Sequence, residues 1–276
     1  FNAILQNDLS TIKKLIDEEY FAKFLALLTL VNDSSLIKGD NLKFIYDHTV
    51  GNFKVLFRHE SSINFKINTE PGDFNNSLFE RDDDEILSYK LFKILTQDQD
   101  FRQMRDKHLN KILELKSNFI KDAKIIYEDS YKYIMYSNLQ LSKQQYLKEQ
   151  FFYSLNHNFD KIEEYLNYVK IFVTEEIKPD EIKLYLINDS FAPVRLKSLK
   201  LKDINDPNKK ITINYENESE YQLSSIIKNN QKNIHKEKEI SIYTNYSIDK
   251  FEFKNLITKK IIDKENIYRN KISFYE

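Results

Sequence analysis

The side chains best suited to chemistry fall in one stretch, residues 17–62. An apolar run ends in Asn32, Asp33, Ser34 and Ser35; Asn41 precedes an aromatic-rich segment; and Arg58, His59 and Glu60 follow it. Taken alone, Asp33 reads as an acid that terminates a helix and is bonded to solvent. Arg58, His59 and Glu60 read as a surface ion pair beside a hairpin, worth about 0–1 kcal/mol. The five histidines, His48, His59, His108, His157 and His235, show no pair at the spacing that metal-binding helices use, so they read as surface or capping residues. Asp82, Asp83 and Asp84 lack the alternating acidic spacing of a calcium loop and read as a helix start. Cys 0 removes disulfides, thiolate zinc sites and a cysteine nucleophile.

The elements around these residues follow from periodicity. Ser10 and Asp17 are placed to cap helical turns, and Phe21, Phe24, Leu25, Leu28 and Val31 recur at three- and four-residue spacing, which predicts a buried helix up to Val31. Alternation in Leu42–Tyr46 and again in Phe53–Phe57, with Gly51 in the turn between, predicts a β-hairpin. Residues from Ser61 to about Asp84 are polar and read as an irregular loop. Helical periodicity returns over Ile86–Leu95, Phe101–Ser117, Ile120–Asn138, Ser142–Leu155 and Asp160 to about Glu176. From Pro179 the pattern changes to six short alternating strands, which predicts a small antiparallel sandwich and a domain boundary near that proline, giving domains 1–178 and 179–276. The Tyr-rich helix faces at Tyr127, Tyr131 and Tyr133 read as core or interface.

Composition bounds the function class. The 276 residues are 41% hydrophobic and 14% aromatic, with Phe 20 and Tyr 18, enough large apolar surface for a folded core despite 31% charge. A formal net charge of −1 leaves no global attraction to nucleic acid or anionic membrane, so any such binding must be local. The longest apolar run, Phe24–Val31, falls short of the roughly 20 residues that a membrane span needs. The chain starts at Phe1 with no basic-then-apolar leader pattern and reads as an internal piece of a longer or processed polypeptide. With Trp 0 and no clustered aromatic platform, the C-terminal strands read as a spacer or protein-interaction module rather than a sugar binder.

Three stretches together resemble the spore coat protein H (CotH) kinase family: DEEYFAKFLALLTLVND from Asp17 to Asp33, NLKFIYDHTVGNFKVLF from Asn41 to Phe57, and RHESS from Arg58 to Ser62. The resemblance covers roughly the first two-thirds of the chain. It implies an α+β protein in which a kinase-like C-lobe, made of helices and a β-hairpin, precedes the small sandwich. It also implies a secreted, cell-surface or envelope protein that uses ATP and Mg2+ to phosphorylate serine on a protein partner. By position, Asp33 would be the catalytic-loop acid, and Asn41 would lie near metal and nucleotide. The two family aspartates at the strand exit fall on Arg58 and Glu60. Glu60 keeps a carboxylate for the metal; the Arg58 guanidinium repels the cation. No lysine-bearing strand pair or Gly-rich cradle precedes the helix in this sequence. The alternative is a catalytically degenerate pseudokinase scaffold that acts through protein contacts in a surface assembly.

Overall fold

The computed structural model describes residues 2–32, 42–56, 87–134, 141–178, 181–206, 208–215, 221–223, 227–229, 232–234, 237–243 and 246–273. The fold is α+β: mainly helical in its first part, then built of mostly antiparallel strands. It divides into two compact units, Phe1–Tyr165 and Leu166–Glu276.

The first unit opens with helices α1 (Asn2–Leu5), α2 (Leu9–Leu15) and α3 (Glu18–Val31). Aspartates start the longer ones. Asp8, not Ser10, caps α2 by accepting from the Thr11 N–H, and Asp17 caps α3 by accepting from the Tyr20 N–H, each at 3.0 Å. A short hairpin follows, β1 (Phe44–Asp47) and β2 (Asn52–Val55), paired Phe44 to Val55 through Asp47 to Asn52. Gly51 takes φ +73 in its turn, a region costly for any residue with a Cβ. Helices α4 (Leu87–Gln97), α5 (Gln99–Glu114, capped by Asp98), α6 (Lys116–Ile134) and α7 (Leu141–Asn167) complete the series. Phe21, Phe24, Leu25 and Leu28 of α3 pack with Phe92 and Leu95 of α4, and Leu42 and Val55 add the hairpin to the same core.

The stretch 142–176 departs from its expected two helices. Helix α7 runs unbroken to Asn167, and β3 (Ile171–Ile177) replaces the expected helical end. The run Ile171, Phe172, Val173, Thr174 is β-branched and aromatic, and it alternates buried and open positions as a strand does.

The second unit continues with β4 (Glu181–Asn188), β5 (Val194–Asp203), β6 (Lys210–Asn214), β7 (Gln222–Leu223), β8 (Ile227–Asn229), β9 (Lys232–Ile234), β10 (Glu237–Tyr243), β11 (Tyr246–Asn255) and β12 (Ile267–Ser273). One sheet has the order β10-β4-β3-β12; another has β11-β5-β6, with β7 also on β5; β8 and β9 form a separate hairpin. Ile171, Leu184 and Leu186 from the first sheet and Leu196, Leu199 and Phe253 from the second share one buried cluster. Among the described strands, every pairing is antiparallel except β12 with β3. Parallel neighbours need a crossover, and here the strands between them in sequence supply it.

A part-buried ion pair joins β3 to β12 in this unit. Glu175 of β3 is fully buried, and Arg269 of β12 donates to both of its carboxylate oxygens. The same guanidinium donates to the Ile248 carbonyl of β11 at 2.5 Å and lies 5.2 Å from the Phe251 ring centroid. One arginine thus ties the two sheets together.

Candidate functional site

Asp33, Asn41, Arg58, His59 and Glu60 lie outside the described residues, as do Asp82, Asp83 and Asp84. The described residues nearest to the first five in sequence are the end of α3 and the hairpin. Helix α3 ends with Asn32 in the left-handed conformation, φ 49, which stops the helix and turns the chain. The carbonyl of Leu30, one of the last on α3, accepts from the buried Asn158 side chain of α7 at 2.8 Å. That bond satisfies a helix-end acceptor and fixes the end of α3 against α7.

The hairpin is joined to the start of the same helix. The Asp17 N–H donates to the Phe53 carbonyl at 3.0 Å, Ile16 and Phe53 form a β-bridge, and Phe44 stacks on the buried Phe21 at 6.1 Å between centroids. At its open end the Leu56 N–H donates to the Lys43 carbonyl at 2.8 Å. The register therefore holds Leu42 and Leu56 at one end, with the chain continuing to Asn41 on one side and toward Glu60 on the other. At the closed end Asp47 accepts from the Thr49 N–H at 2.9 Å and from Lys54 Nζ at 2.8 Å. The Lys54 contact, with the Thr49 N–H after it, lowers the Asp47 pKa to about 2.

A second polar constellation lies in the core of this unit, and sequence reasoning missed it. Arg105, Asp106 and Tyr165 are each 1% exposed. Arg105 Nε and Nη2 donate to Asp106 Oδ1 at 2.9 and 2.6 Å, and Nη2 also donates to Tyr165 Oη at 2.8 Å. Tyr165 Oη closes the ring by donating to Asp106 Oδ2 at 3.0 Å. Burial and then the Asp106 charge push the Tyr165 hydroxyl well above the usual phenol range, so it stays protonated and able to donate. Burial works against the Arg105 charge, yet Asp106 and Tyr165 hold its pKa above the ordinary value. Arg102, one turn earlier, is pulled down by burial. With no solvent at these atoms the network locks α5 to α7 rather than handling substrate. Its sequence signal is Arg102, Arg105 and Asp106 lying between Phe101 and Leu109, ionisable groups at helical spacing among buried apolar ones.

Of the histidines, His108 pairs with Glu19 at 2.8 Å, and His48 and His157 pack against Tyr46 and Tyr153. Tyr127 of α6 meets Phe152 of α7 edge to face, and Lys148 lies over its ring at 5.3 Å. Asn188 and Ser190 are buried in a turn where both donate to the Ala192 carbonyl. Among the described residues no three His, Asp or Glu side chains converge as metal ligands, and no helix is long and apolar enough to cross a membrane. No protein-family model, curated protein or solved structure matches the chain.

Proposed function

We propose that this chain is the C-lobe portion of a CotH-family, protein-kinase-like protein of the cell surface or envelope. In the full-length protein, Asp33 orients a serine hydroxyl on a protein substrate, and Asn41 and Glu60 hold Mg2+ against ATP. The observation that carries the reading is the tethering of the hairpin to α3. Hydrogen bonds from Asp17 and Leu56 fix its register, so the two chain ends that lead to Asn41 and Glu60 leave from the same place. A phosphoryl-transfer site needs this kind of fixed frame, because its catalysis is mostly positioning plus charge stabilisation. The donor set suits magnesium in part: the Glu60 carboxylate and Asn41 amide are hard oxygen ligands. Bound magnesium would neutralise phosphate charge during transfer. The shared core of the two later sheets supports reading them as an appended sandwich.

Arg58 favours a second reading, the pseudokinase scaffold, since a guanidinium stands at one of the two positions where the family carries aspartate. That protein docks onto a surface partner and transfers no phosphate. The two readings separate in a phosphotransfer assay of the full-length protein with γ-labelled ATP and magnesium. Label incorporation that disappears in Asp33→Ala supports the kinase; incorporation that persists in Asp33→Ala removes the proposed role of that residue.

A further inference from the structure

The outer face of the β11-β5-β6 sheet collects positive charge in a way that local sequence does not reveal. Antiparallel register sets Arg195 directly opposite Lys254, Lys200 opposite Lys250, and Lys202 opposite Lys210. Directly opposed side chains share a face, and like charges in that position destabilise a sheet. Three such pairs on one face run against folding stability, in a chain whose net charge is only −1. Ion pairs relieve part of the face: Lys197 with Glu252 at 3.5 Å, Lys209 with Asp203 at 3.4 Å and Lys210 with Asp249 at 3.3 Å. Glu252 also accepts from Ser198 Oγ at 3.0 Å. At one end Arg195, Lys197, Lys254 and Lys259, together with Leu256, line a cavity of about 200 Å³.

We propose that this face binds a linear phosphate polymer, with the Arg195 and Lys254 cavity anchoring one phosphate. Each opposed pair presents two cations across one strand spacing, about 4.8 Å. A phosphate, with several anionic oxygens on one centre, bridges such a pair, and a guanidinium matches it bidentately. The row from Arg195 to Lys202 is eight residues long, on the order of 20 Å at strand rise, longer than any single small anion. Phe251 and Phe253 of β11 belong to the buried core, and the outward positions of β5 hold Arg195, Lys197, Lys200 and Lys202, so base stacking is not what this face offers. The proposal is independent of the kinase reading, which needs no residue of this sheet.

The test is binding of end-labelled inorganic polyphosphate to the full-length protein by fluorescence anisotropy across a salt series. Expected is saturable binding whose affinity falls steeply with salt, as counterion release requires. Lys200→Gln/Lys250→Gln and Arg195→Gln/Lys254→Gln should each weaken it tenfold or more and flatten the salt dependence. Lys200→Gln/Lys250→Gln should not lower the thermal midpoint, because it removes a repulsion. Lys178→Gln/Lys183→Gln, elsewhere in the unit, should leave binding within twofold. Absence of binding at low salt overturns the proposal, as does binding that both sheet variants retain. Sedimentation with phosphatidylserine vesicles but no polyphosphate binding would assign the face to a membrane surface and overturn the polymer.

Discussion

The Arg105 guanidinium meets the Tyr165 hydroxyl at 2.8 Å, sixty residues away in sequence, with Asp106 bonded to both. Removing one member of such a buried set leaves a charge without its counterion, which is far more costly than replacing the whole set by apolar groups. Asp106→Ala is therefore expected to destabilise the protein by about 3–5 kcal/mol. Arg105→Met combined with Asp106→Leu and Tyr165→Phe, which removes the whole set, should recover most of that loss. Urea denaturation followed by circular dichroism checks both. Equal losses in the single and triple variants would show that the charges are not what matters.

Arg269 and Glu175 form an ion pair in the second unit that is buried only at the Glu175 end. Arg269→Ala leaves Glu175 fully buried beside β12 without its partner. Hydrogen exchange should then speed up in β12, in β3 and around Ile248, because the guanidinium joins all three. Exchange that changes only in β12 would mean the two sheets are held by apolar packing alone.

The hairpin gives a pH prediction. Asp47 has a folded pKa of about 2 against an ordinary value of 3.8, lowered first by Lys54 and then by the Thr49 N–H. A depressed carboxylate stabilises the fold fully above its unfolded pKa and loses that contribution as pH falls through the folded one. Hairpin stability should hold above pH 4 and decline toward pH 2. In Lys54→Met the decline should begin at higher pH. Carboxyl chemical shifts across an acid titration measure both midpoints.

Gly51 isolates a backbone effect. A Cβ there meets only the Tyr46 hydroxyl, at 3.8 Å, so space is adequate, but φ +73 strains any L side chain. Gly51→Ala should cost about 1 kcal/mol, in line with the left-handed penalty. Gly51→Asn should cost less, since asparagine visits that region more readily. Thermal melts of the two variants rank them.

Much of this fold is legible in the sequence because its signals are local. Asp17 announces α3, Gly51 announces the turn, and alternation in Leu184, Leu186, Leu196 and Phe253 marks inward strand faces. What fails to show is nonlocal. Leu166, Val169 and Val173 continue the three- and four-residue apolar spacing of α7 closely enough to pass for its last turns, and the pairing with β4 and β12 makes the stretch from Ile171 a strand. The short β7, β8 and β9 carry too few residues for periodicity to register. The cation pairs Lys200 with Lys250 and Arg195 with Lys254 arise from register alone. For the candidate site, residue types and order are legible at Asp33, Asn41 and Glu60, whereas the contacts of nearby described residues, Asn158 with the end of α3 and Asp17 with the hairpin, needed the structure.

The kinase reading is tested most directly by calorimetric titration of the full-length protein with ATP in the presence and absence of magnesium. The account predicts saturable, magnesium-dependent heat that weakens in Glu60→Ala and persists in Asp33→Ala, because the first residue holds metal and the second orients the acceptor. Absence of heat with magnesium present, or binding indifferent to Glu60→Ala, would contradict it.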